Sequence, residues 1–264
     1  MEKVNVINGD GDLTNRIVNG LLPSALRFYG KEYEDIVIQA VKEIEFYELG
    51  KHENMDLVIS VLTGCIPKND SHNRDSGCFI YPKNPNSMSD YGDIIIYKNE
   101  FKRETYLTVA HELFGHGVCS RINRIIEEDN NLYNRNGIAL HGIDNSLWIN
   151  RIMNEGCVDF IAETIVNYHG MCVKTSDDYS AAKKTAKAIY NYLGREDFLK
   201  AMVLYDYDIE QGIDNLCGDG YFDRLSKLNE KRYSHEANGH YLRSYAVKKK
   251  VLKEIKKIAW HIQR

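Results

Sequence analysis

Between residues 106 and 114 the apolar positions return at helical spacing. Tyr106, Val109, Ala110, Leu113 and Phe114 share one stripe, and His111 and Glu112 fall off it. The pattern predicts a helix with one face in a core, Asn99 as its N-cap and Glu100 in its first turn. Upstream, residues 4–7, 16–18 and 26–29 read as short strands separated by Gly- and Asn-containing turns. Asn8, Asp10, Asp12 and Thr14 alternate like the start of a calcium loop. Position twelve of such a loop is Asn19 rather than the bidentate Glu it requires, which favours a hairpin turn. Residues 34–49 carry a helical pattern that ends at Gly50. Strands are expected over 56–62, 78–81 and 93–97, and the remainder of 67–90 is polar surface. Residues 124–146 read as a solvated loop holding a lone His141. Helical patterns then follow over 147–168, 178–193, 195–206, 219–230 and 241–261.

This order implies an α+β fold. A mixed β-sheet N-lobe, about 1–120, holds the histidine-bearing helix, and a mainly helical C-lobe, about 121–264, completes one domain spanning 1–264. With 264 residues, 43% of them hydrophobic, a sizeable core can form.

Charge and cysteine usage narrow the partners. A net charge of −4 provides no basic field for nucleic acid, and no apolar run approaches the ~18 residues needed to cross a bilayer. Neither nucleic acid nor a membrane is therefore expected as a partner. The first residues, MEKVNVINGDGDLTN, lack an apolar signal region, which favours a cytoplasmic location. None of the six cysteines forms a C-x-x-C pair, so reduced thiols are expected, with Cys157 a small core residue.

The candidate chemistry lies in His111-Glu112-Leu113-Phe114-Gly115-His116. Two imidazoles bracketing a carboxylate suit a zinc ion with its own general base, as in the H-E-x-x-H pattern. Here one residue has been added between the histidines. In a regular helix, positions i and i+5 lie about 140° apart, so the two rings would diverge. A turn widened by one residue, of π type, would bring them together, and Gly115 lowers the cost of such a distortion. His235-Glu236-Ala237-Asn238-Gly239-His240 repeats the pattern, but Asn238-Gly239 is a turn pair and the apolar stripe is missing.

The first hexapeptide resembles the H-E-x-x-G-H motif of the dipeptidyl peptidase III type of zinc metallopeptidase, a branch of the glutamate-liganded zincins. That family takes its third ligand from an E-x-x-x-[DE] pattern on a later helix, and Glu155-Gly156-Cys157-Val158-Asp159 has the spacing. The likeness covers about fifty residues, and Asn154 stands where the family carries a second Glu. It implies a zincin-like fold, one zinc ion per chain held by His111, His116 and Glu155, Glu112 as catalytic base, and Asp159 supporting a ligand. Glu163, two turns along the same face, competes with Glu155. The family also implies a strand beside the helix whose free edge pairs with extended substrate, for which Asp93–Tyr97 is the candidate. A later His or Tyr would stabilise the oxyanion, with His240 the first choice and Tyr241 and Tyr233 behind it. The reading is a zinc metallopeptidase acting on peptide or protein. A zinc amidohydrolase of a non-peptide amide and a non-catalytic binding module remain as alternatives.

Overall fold

A computed structural model describes residues 5–8, 11–50, 54, 55, 57–59, 77–80, 92–97, 102–126, 132–142, 148–173, 180–204 and 209–263. The fold is α+β, and the chain divides into two compact units. The first unit comprises Met1–Ile122 and Ile161–Thr175; the second comprises Asn123–Phe160 and Ser176–Arg264. The return of Ile161–Thr175 to the first unit leaves no trace in the periodicity. Among the described residues no helix is long and apolar enough to cross a membrane.

In the first unit, strand β1 (Asn5–Asn8) leads into helix α1 (Asp12–Tyr29). The strands expected at 16–18 and 26–29, and the hairpin turn before them, are therefore replaced by one helix. Gly20 and Pro23 both lie inside it. Burial explains this. Ile17, Val18, Leu21, Ala25, Phe28 and Tyr29 recur at helical spacing and are all almost fully buried. At about 1.5–3 kcal/mol for each large side chain, they outweigh the ~3 kcal/mol of an interior proline and the ~1 kcal/mol of a glycine.

Helix α2 (Glu34–Glu43) stops short of the expected 34–49, because Ile44 is extended and Glu45–Leu49 form strand β2. Leu57, Val58 and Ile59, expected in a strand, are helical. Strands β3 (Gly77–Ile80) and β4 (Asp93–Tyr97) complete a sheet of order β1-β2-β4-β3. β1, β2 and β4 run parallel, and β3 is antiparallel to β4. Asp93–Tyr97 is thus no sheet edge: its buried Ile94-Ile95-Ile96 run is that of an interior strand, and among the described residues β3 lies outside it. Next comes α3 (Lys102–Val109), which passes directly into a π-helical segment, Ala110–Gly117. Asn99 and Glu100, and most of 67–90, lie outside the described residues.

A second sheet, of order β5-β6-β7-β8, comprises strands Ser120–Ile126, Leu132–Asn136, Ala139–Gly142 and Trp148–Ile149, which from Asn123 onward belong to the second unit. The loop expected at 124–146 is therefore in good part sheet, and His141 sits on β7 opposite Asn134 and Trp148. Helices follow: α4 (Arg151–Tyr168), α5 (Ser180–Leu193), α6 (Arg195–Leu199, extended by a π turn to Leu204), α7 (Ile209–Cys217), α8 (Tyr221–Ala237) and α9 (Tyr241–Ile262). The periodicity missed α7 and ended α8 seven residues early. α9 packs against α5, α7 and α8 through Val247, Val251, Ile255 and Ile258, while Phe160, Tyr190 and Phe198 form an aromatic cluster. Continuous α4 contributes Arg151 to Phe160 to this unit and its remaining residues to the first.

One hydrogen-bonded brace fixes the start of α4. The Ile138 N–H donates to Asn154 Oδ1 at 3.1 Å, and Asn154 Nδ2 donates to Asn136 Oδ1 at 3.0 Å, with Asn136 and Asn154 both buried. Gly137, between β6 and β7, has φ +56°, and a Cβ there would strike Asn154 Oδ1. Only glycine meets both demands. Asn154→Leu leaves a buried donor and a buried acceptor without this partner, and should lower stability by about 2–4 kcal/mol. A thermal melt that matches the wild type would show that the brace contributes nothing.

Candidate metal centre

The added residue in HELFGH is absorbed by the π segment, where the Val118 N–H reaches back to the Leu113 carbonyl. An i→i+5 turn brings positions 111 and 116 onto one side, and the two imidazole centroids lie 4.9 Å apart with planes at 71°. His116 is buried, His111 half-buried and Glu112 buried. The neighbouring elements hold this geometry. Tyr29, from α1, donates its hydroxyl hydrogen to the Phe114 carbonyl, within the π turn. Burial, and then Cys119, push the Tyr29 hydroxyl well above its ordinary pKa, and burial pushes the Cys119 thiol up to about 12. Tyr29 therefore keeps its proton for the carbonyl at neutral pH. Gly117 packs against Ile44 at the end of α2, where a Cβ would collide with the isoleucine side chain. A side chain at 117 would have to displace the Ile44 terminal methyl; Gly115, expected to ease the turn, is buried within it.

Strand β3 forms the other wall. Phe79 stacks on His116 with centroids 6.1 Å apart and planes 25° from parallel. A Cβ on Gly77 would collide with Thr108 and come within 3.3 Å of Glu112 Cγ. Gly77 therefore lets the strand backbone lie beside the carboxylate-bearing turn. On the strand's other face Cys78 packs on Leu49, Met55 and Ile95. Neither Phe79 nor Gly77 was singled out by sequence; the available signal was a glycine opening a short apolar strand, which marks close backbone approach.

The third donor is Glu155 on α4. One ligand atom from each of His111, His116 and Glu155 lies within 4.8 Å of the other two, and among the described residues this is the one such group. Bonds of about 2.0–2.2 Å to a shared ion place donors roughly 3.3–3.5 Å apart in a tetrahedral site. Modest side-chain adjustment closes the difference, so the three residues can hold a metal ion. Glu112 is not in the group. Glu163 is outside it too. Asp159, one turn after Glu155 on the same face, is buried. Arg151, which sequence reasoning did not consider, lies one turn before Glu155 and pairs with it at 3.4 Å. Asn154, the departure from the family pattern, faces the β6–β7 turn as described above.

His240 is exposed, in the turn that precedes α9, with its ring 6.1 Å from that of His235. Burial, and then Lys231, Arg243 and His240, lower the His235 pKa. Oxyanion donors act where water is excluded. Exposure removes that advantage from His240 and from Tyr241, itself 55% exposed. The repeat of the hexapeptide at 235–240 forms a helix end and a turn, with Gly239 at φ +71°. Compared with known proteins, the chain matches no family model, no curated protein and no solved structure.

Proposed function

We propose that the protein is a zinc metallopeptidase with a zincin-like arrangement of sheet and helix. The observation that carries this reading is the convergence of His111, His116 and Glu155 on one point, with Glu112 between the two histidines on a π turn. Two imidazoles and a carboxylate are a donor set that suits zinc and leaves room for a fourth ligand. When bound, zinc supplies Lewis-acid polarisation of a carbonyl and acidifies water at neutral pH. Glu112 takes the proton of the attacking water and returns it to the departing amine. Its burial beside Gly77 keeps bulk solvent from competing for that proton. Phe79 fixes the ring plane of His116.

The test is elemental analysis of the purified chain together with hydrolysis of a quenched peptide library, with and without chelator. The expected result is about one zinc per chain and cleavage that chelator removes and added zinc restores. Stoichiometric zinc without cleavage would leave a non-peptide amide or pure binding as the role of the site. Absence of metal after zinc loading would end the reading altogether.

A further inference from the structure

Helix α9 holds seven Lys or Arg residues against a single carboxylate, Glu254, in a chain whose net charge is −4. Its buried stripe, Ser244, Val247, Val251, Ile255 and Ile258, fixes which side faces outward. At about 100° per residue, the opposite side carries Leu242, Lys249, Lys253, Lys256 and Trp260 in one line along the axis. All five are exposed, Leu242 to 87%. Glu254 lies off this line and is paired with Lys257 at 2.8 Å. Tyr245, also exposed, flanks the line and holds the Lys249 ammonium 4.7 Å from its ring centroid. Lys249, Lys253 and Lys256 form no ion pair among the described residues.

We propose that this outward face of α9 is a docking surface for an anionic lipid bilayer, with the helix lying in the plane of the membrane. The lysine row meets the phosphates of the headgroups. Leu242 and Trp260, roughly 27 Å apart along the axis, enter the boundary between headgroups and acyl chains at either end. An interfacial helix ordinarily inserts its apolar face; here that face is committed to the protein core, so attachment rests on charge plus two anchors. A nucleic acid would engage the lysines but gives an exposed leucine nothing to bury against. The lack of a membrane-crossing segment, from which no membrane partner was expected, does not bear on a helix that lies on a surface. The proposal is independent of the metal site.

The experiment uses the full chain carrying Trp148→Phe, which leaves Trp260 as the sole tryptophan of the two in the sequence. It is mixed with phosphatidylcholine vesicles, either pure or containing about one-third phosphatidylserine. Co-sedimentation and a blue shift of Trp260 emission are expected with the anionic vesicles alone, and both should fade as salt rises. Each lysine near such a surface is worth about a fivefold change in partitioning, so the combined Lys249→Glu, Lys253→Glu and Lys256→Glu variant should bind about 100-fold more weakly or worse. Leu242→Ser should weaken binding several-fold while preserving its salt dependence. All four side chains are exposed, and circular dichroism checks that the helices persist. Failure to bind anionic vesicles at low salt, equal binding to pure phosphatidylcholine, or indifference to the triple reversal overturns the proposal. So does tighter binding to duplex DNA that depends on the same lysines.

Discussion

Glu112→Gln is expected to keep its metal and to lose peptide hydrolysis by about 10³–10⁴-fold in kcat/KM. The amide has the shape of the carboxylate and fits the same buried position between Leu113 and His111, so the π turn has no reason to rearrange. What it lacks is a basic oxygen for the proton of the attacking water. Zinc should remain because Glu112 stands outside the group of His111, His116 and Glu155. Paired measurements on one preparation, metal content and steady-state cleavage of a fluorogenic peptide, decide the matter. Loss of zinc in the variant would recast Glu112 as a ligand, and wild-type rates would place the chemistry elsewhere.

Replacing Glu155 tests the other half of the site. Glu155→Ala should weaken zinc affinity by more than about 100-fold, beyond the 10–100-fold typical of residues that only support a ligand. Glu163→Ala should leave it within a few-fold of wild type. Asp159→Asn, buried one turn from Glu155, should fall between them at about 10–100-fold. Because Glu155 also pairs with Arg151, its loss changes the metal-free protein as well. Competitive chelator titration, rather than a melting temperature, is therefore the measurement that separates ligation from stability. A larger effect from Glu163→Ala than from Glu155→Ala would reverse the assignment.

How much of this was legible in the sequence depended on how far apart the cooperating residues lie. The i, i+5 spacing of the histidines required a widened turn, a local consequence of chain geometry, and the π segment supplies it. The spacing of Glu155 and Asp159 on one helix face was equally readable. Over α1 the Gly and Asn positions suggest turns between short strands only when they are weighed without the core that Ile17, Leu21 and Phe28 fill. The Glu45–Leu49 alternation was short enough to pass for a helix, and only pairing with β1 and β4 decides it. That β3 lies outside Asp93–Tyr97 depends on which strands neighbour it, a relation between segments distant in sequence. Phe79 could not be recognised as the support of His116 for the same reason. His240 fell the other way: its motif was local, but exposure is a property of the folded surface.

The π turn also bears on how the chain can vary in length. With five peptide units between them, His111 and His116 converge only in a widened turn, and Val118 and Cys119 beyond it are buried in the register that turn sets. Removing one residue between the histidines would close the widened turn to a regular α turn with an i, i+4 pair, and everything downstream would keep its register relative to α3. The imidazoles could still meet and Gly117 could keep its place against Ile44, so the change falls on the turn itself, where the Phe114 carbonyl accepts from Tyr29. The longer and the shorter motif therefore stand one local insertion apart, with the cost of the added residue confined to the turn that takes it up.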